Sequence, residues 1–296
     1  MKDKGLPPSL IKSLSDAVRS YPSIKSLYLF GATTVRKESE FYFPDAIKLD
    51  EPASYEVFVL IVSETPIGDP LKFREAIQAQ MKEEVKVFTI HYTCEDFEME
   101  MDRDTFLRQI LLPDNLIWSD IEWEFPDFTG KRHLEHLIEE WEFRMGKAGF
   151  FHEKAALSGW EKDDIAVMEL VSQAVLQACA GLVWIHLNWK PRNFDLDLGL
   201  NLCKSFSTIP EILLPDATFR SQKMYHFLCQ SRKHLLFNTE SLLTQDEIDH
   251  ATFSAEKFIR EVNTFGVEII RARGEKNYQT LIHLDLFEPV NTQEDK

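Results

Sequence analysis

Near Gly130 the hydrophobic period of this chain changes, and that change limits the fold more than any single motif does. Before it, short apolar runs alternate with helical patterns. Residues 8–22 place Leu10, Ile11, Leu14, Ala17 and Val18 on one helical face, with Pro22 as a stop. Runs at 25–30, 55–62 and 85–92 read as strands, 70–84 and 95–110 as helices, and 115–118 as a short edge strand. This alternation predicts a small mixed-sheet domain over residues 1–120. After Gly130 the spacing is helical almost throughout: 133–157, 163–188, 195–206, 218–237 and 244–274. The last opens on Thr244-Gln-Asp-Glu247, a capping-box spacing, and ends near Gly274. Amphipathic helices with short connections make a bundle over 133–275. The predicted class is therefore α+β, with a linker at 121–132, marked by Pro126 and Gly130, and a tail at 276–296.

At 296 residues the chain has room for two cores. Its net charge is −16, with 24 acidic against 14 basic residues in 1–130 and 25 against 19 beyond. A field of that sign repels phosphate, so nucleic acid is disfavoured as a partner, and Lys131-Arg132, Lys190 to Arg192 and Arg271 to Arg273 read as solvated surface groups. No apolar run reaches the roughly 18 residues that cross a bilayer, and residues 1–8 lack the apolar segment of a secretory signal. Cys94, Cys179, Cys203 and Cys229 form no CxxC pair, which predicts reduced thiols and no zinc site. Together these features predict a cytoplasmic protein without a membrane contact. The carboxylates of 94–104 read as a solvated helix face, and Trp118, Trp123, Phe125 and Phe128 as aromatics that pack the domain junction.

The segment Ser26-Leu-Tyr-Leu-Phe-Gly-Ala32 resembles the start of a nucleotidyltransferase active site. The resemblance implies a strand, a tight turn at Gly31 and Ala32, and a second strand presenting two acids to a nucleotide triphosphate and magnesium. That second strand is Ser54-Tyr-Glu-Val-Phe-Val-Leu-Ile-Val62, and the acidic pair, two residues apart on one face, falls on Ser54 and Glu56. A third acid would come from 85–92, which offers Lys86 and His91. A lone glutamate coordinates hard divalent ions poorly, so no cofactor is predicted. Residues 36–43 would loop over the site as an insertion. Gly31 reads equally well as an ordinary turn residue.

The second half resembles the HEPN family of helical bundles, and the two halves together resemble bacterial fusions of a minimal nucleotidyltransferase-like domain with a HEPN domain. Ser172-Gln-Ala-Val-Leu-Gln-Ala-Cys-Ala-Gly-Leu182 parallels the family's His-Gln-Ala-x-Glu-Gln-Ala helix. Asn188-Trp-Lys-Pro-Arg-Asn-Phe-Asp-Leu196 parallels its Gly-Tyr-x-Pro-Lys-Thr-His-Asp-Leu turn. Cys229-Gln-Ser-Arg-Lys-His-Leu-Leu-Phe237 followed by Leu243-Thr-Gln-Asp-Glu247 parallels a third segment. The family's histidine, glutamate and turn histidine are here Ser172, Leu176 and Phe194. HEPN ribonucleases use Arg-x4-6-His, the histidine moving protons and the arginine steadying phosphate. From Arg232 the histidine positions hold Phe237, Asn238 and Thr239; His234 is a substitute only two residues on. Arg220 and His226 match the spacing literally, although with nine histidines in the chain about one such match arises by chance.

The sequence thus predicts a binding or regulatory protein, a homodimer through its bundle with a protein or nucleotide ligand. Two enzymatic alternatives stand beside it. One is a HEPN-type ribonuclease or toxin-like protein using Arg220 and His226, and the other is residual nucleotide transfer using Glu56.

Overall fold

Between Val57 and Val62 the second strand has no exposed side chain, so both faces of its sheet are covered. In the computed structural model, residues 6–35, 54–81, 85–101, 105–123, 134–158, 164–190, 194–204, 206–214, 219–237, 243–276 and 278–279 are described. The chain divides into two units, Met1–Gly130 and Lys131–Lys296.

The first unit is built on a four-stranded mixed sheet of order β3-β2-β1-β4. Its strands are β1 (Ile24–Val35), β2 (Ser54–Ser63), β3 (Val85–Thr93) and β4 (Leu116–Ser119). β1 runs antiparallel to β2 and β4, while β2 and β3 are parallel, joined by the crossover helix α2 (Pro70–Gln80). The opening helix α1 (Pro8–Arg19) has the predicted apolar face, burying Leu10, Leu14, Ala17 and Val18. With Phe73 and Ile77 from α2, and Met81 just past its end, it packs against Leu27, Leu29, Val57, Val59, Ile61 and Val87. The alternate residues of the same strands form an aromatic face, where Phe58 and Phe88 stack at 4.8 Å and Phe97 meets Tyr28, Tyr92 and Trp123. That face is covered by α3 (Cys94–Glu100) and α4 (Thr105–Ile110). The single helix predicted at 95–110 is thus two. Thr93 caps the first by accepting from the Asp96 amide, and Met101 ends it. The edge position of β4 is as predicted, with a 3-10 turn at Pro113–Asn115 leading into it. Trp118 is buried beneath the Arg19 guanidinium, and Trp123 donates to Ser26 Oγ, so both belong to this unit's core.

The second unit consists of helices α5 (Leu134–Ser158), α6 (Asp164–Leu187), α7 (Leu196–Lys204), α8 (Ile209–Leu213), α9 (Phe219–Phe237) and α10 (Gln245–Ala272). α8 lies where the sequence predicts only a proline loop, because Pro210 sits at its first turn and is tolerated there. The capping box of α10 is formed: Thr244 accepts from the Glu247 amide while Glu247 accepts from the Thr244 amide. By length and composition α6 could cross a membrane, but 67% of its apolar window is buried, and it packs against α5, α7, α9 and α10 as the bundle's central helix. It ends at Asn188, whose positive φ of 53° returns its amide to the Trp184 carbonyl. The largest fully buried side chain, Trp141 of α5, lies in a slot between two glycines, Gly181 of α6 and Gly266 of α10. Past α10, Tyr278 is buried and its hydroxyl donates to Glu142, so the chain predicted as a tail begins docked on α5.

Candidate functional site

β1 does not end at its glycine. It continues through Gly31 to Val35, and the predicted tight turn is replaced by a bulge: Leu29 pairs with Val59 but Gly31 with Phe58, leaving Phe30 as the extra residue. Gly31 has a packing reason instead. A Cβ at Gly31 would lie 3.2 Å from Cδ2 of Phe58, so the bare backbone makes room for that ring. Phe30 packs beside it on Phe58 and Phe106. Ala32 pairs with Val57, within the ladder and not in a turn.

Glu56 is half-buried near the start of β2, where its ladder neighbours are Thr33 on β1 and Lys86 on β3. Facing residues on adjacent strands stand about 5 Å apart. The position where a second metal-binding acid would help Glu56 therefore carries a cation, whose ammonium also lies 4.8 Å from the Phe88 ring centre. His91, the other residue of β3 that the sequence offers for the site, points to the α2 face. It shares a 2.8 Å hydrogen bond with Thr89, meets Phe73 edge-on, and its Nδ1 is buried without a hydrogen-bond partner. Burial first, and the Arg74 charge second, lower its pKa to about 4, so it is a neutral, half-buried histidine at pH 7. Among the described residues no group of three or more His, Cys, Asp or Glu could hold a metal ion. The insertion at 36–43 lies outside the described residues.

In the helical unit the candidate arginines and histidines share α9, which contains no acidic residue. Arg220 is in its first turn and His226 is exposed; six residues place them about 120° apart around the helix axis. Arg232 is exposed, whereas His234 stacks flat on Phe227 at 4.2 Å, so this pair also diverges. Burial against that ring, then the charges of His226 and Lys233, hold His234 below the usual histidine range.

The remaining family-like positions pack. Ser172 is buried and donates to the Leu228 carbonyl, tying α6 to α9. Ser231 donates to Glu169 across the same seam, and Tyr225 donates to Asp197 of α7. Phe194 packs on Trp189 and lies 3.0 Å from where a Cβ would stand at Gly199. Asn238 and Thr239 lie outside the described residues.

One polar centre escapes sequence reasoning. The Glu140 side chain is only 8% exposed; its two oxygens accept from Arg144 Nε at 2.7 Å and Lys190 Nζ at 2.8 Å, and Arg144 also donates to Gln177. Burial pushes its carboxyl up, but the hydrogen bonds from Lys190 and Arg144 outweigh this and hold it below the ordinary glutamate value. The Glu140–Arg144 spacing was the available signal, though it reads as a surface pair until Lys190 closes over it. Of the basic clusters, Lys190 is thus engaged in an ion pair and Arg271 donates to the Tyr278 carbonyl, while Lys131, Arg132 and Arg192 lie outside the described residues. All four cysteines are free thiols, two of them buried.

No protein-family profile and no curated protein matches this chain. Among solved structures it is similar to a nucleotidyltransferase-like protein from Exiguobacterium sibiricum, with 10% identity and a TM-score of 0.30 over 92% of this chain and 80% of that one.

Proposed function

We propose that this chain is a non-catalytic binding or regulatory protein, built from a degenerate nucleotidyltransferase-like domain and a degenerate HEPN-like bundle. The observation that carries this reading is the occupied sheet site. The space a phosphate-binding glycine turn would leave is taken by Phe58 against Gly31, and the lone carboxylate Glu56 stands in register with Lys86. A nucleotide triphosphate with magnesium needs backbone amides free at the glycine and at least two converging acids. Here the Gly31 backbone is inside a β-ladder. In the bundle, the positions that would carry the proton-moving histidine after Arg232 hold Phe237, Asn238 and Thr239, and two further polar positions of the family hold Ser172, which ties α6 to α9, and Phe194, which packs on Trp189. The protein acts by contact, through a protein or nucleotide ligand, and works without a metal cofactor.

Purified full-length protein and its His226→Ala variant, each incubated with a mixed RNA pool, are expected to leave the RNA intact. Calorimetry with ATP and magnesium is expected to give no heat beyond dilution. RNA cleavage by the wild type that is lost in His226→Ala, or turnover of ATP with magnesium that is lost in Glu56→Gln, would overturn the non-catalytic reading.

A further inference from the structure

We propose that the outer face of α5 is a self-association surface, on which two copies of this chain pack their α5 helices antiparallel about a twofold axis passing between residues 146 and 147. Phe143, Phe150 and Leu157 are 49%, 52% and 54% exposed. They recur every seven residues, and with His136, Glu139, Gly146, Lys147 and Lys154 they fall within about a 100° arc of the helix. An exposed apolar stripe about 21 Å long on a helix that buries its opposite face calls for a covering element.

The order of side chains along the stripe says which element. In an antiparallel pair with that axis, Phe143 of one copy faces Phe150 of the other, Glu139 faces Lys154, and His136 faces Leu157. Every pairing is made twice by symmetry, as an isologous interface requires. Charges of opposite sign flank the paired phenylalanines on both sides, and His136 meets Leu157 beyond them. At the centre stands Gly146, where an added Cβ would find nothing within 4 Å, so the backbones are free to approach. The adjacent Lys147 does not obstruct the axis, because its ammonium is drawn back 4.5 Å from the Phe143 ring centre, one turn away. Lys154 lies likewise 5.4 Å from the Phe150 ring centre, leaving it placed at the flank, where the partner's Glu139 arrives. An unrelated partner helix would not need its contacts arranged symmetrically about one point of α5. Nothing in this surface depends on the state of the sheet site.

Sedimentation equilibrium of the full-length chain over a wide concentration range tests the proposal, with circular dichroism and thermal melts confirming that each variant is folded. Wild type is expected to dimerise, and Phe150→Glu to weaken the dimer at least about tenfold, since it places a charge in a desolvated aromatic contact twice. Glu139→Lys and Lys154→Glu each set like charges opposite one another and are expected to weaken it by roughly three- to tenfold. The double variant, E139K with K154E, is expected to recover wild-type affinity. A wild type that stays monomeric at all concentrations, or a dimer indifferent to Phe150→Glu, overturns the surface; a double variant no tighter than the singles overturns the antiparallel register.

Discussion

Among the described glycines, Gly266 is the one at which an added methyl group would meet the closest neighbour. The new Cβ would lie 2.1 Å from Cζ2 and 2.2 Å from Cη2 of Trp141. Carbon atoms rest at about 3.5–4.0 Å, so the overlap is roughly 1.5 Å. The indole has little room to retreat, because the side chain is fully buried and the Gly181 backbone of α6 stands so near its opposite edge that a Cβ there would lie only 3.2 Å away. α10 must therefore move off α5 and α6, losing packing along Phe258, Ile259, Val262 and Ile270. Overpacking costs about 1–3 kcal/mol where side chains can adjust. Here they have little room to, so the cost reaches about 3 kcal/mol or more, offset by only about 1 kcal/mol of helix propensity gained over glycine. The net expectation is a loss of about 2 kcal/mol or more, read by urea unfolding of the full chain, in the transition that reports the helical unit. Thr264→Ala, exposed on the same helix, should stay within about 0.5 kcal/mol of wild type. Trp141→Leu should cost markedly less in the Gly266→Ala background than alone, a coupling of about 1 kcal/mol or more. A Gly266→Ala protein as stable as wild type, or additive effects in the double variant, would refute the slot.

Two pH-linked outcomes accompany this one. The Glu140 carboxyl is held below its ordinary value in the fold, so its contribution is complete above about pH 4.5 and is lost as pH falls through the lower native value. Glu140→Gln should therefore cost about 1–3 kcal/mol at pH 7, and a denaturation series should show the gap closing as the solution is acidified below the ordinary glutamate value; a gap that ignores pH would remove the ion centre from the account. His91 is neutral and half-buried with a pKa lowered to about 4, so stability is complete above its ordinary value of 6.5 and declines as the solution is acidified between the two. His91→Gln should flatten that slope, worth on the order of 3 kcal/mol in the limit, in melts taken from pH 7 to 4.

The long helices of the second unit were legible, though the short α8 was not, because their apolar spacing and the Thr244–Glu247 box are local signals that tertiary packing had no reason to override. The sheet was legible in outline for the same reason: Val57 to Val62 is an unbroken apolar run that only a doubly covered strand tolerates. Gly31 was misread because a glycine after an apolar strand signals a turn, whereas its actual reason, the Phe58 ring on the neighbouring strand, is a non-local contact. The break between α3 and α4 hid inside a continuous helical period. Glu140 could not be recognised as buried until Lys190, 50 positions later, was brought back over it.

The edge strand β4 has a consequence for the order in which the first unit assembles. β1 lies between β2 and β4, yet the residues that complete its far side come very late: Ser119 meets Ser26 across 93 positions, and the Trp123 indole reaches the same serine across 97. The β2–α2–β3 crossover closes over short chain separations, while docking β4 carries the larger loop-closure entropy. During synthesis, β1 therefore exposes one row of unpaired amides and carbonyls until residue 119 has emerged, and release from that exposed state waits on a four-residue strand.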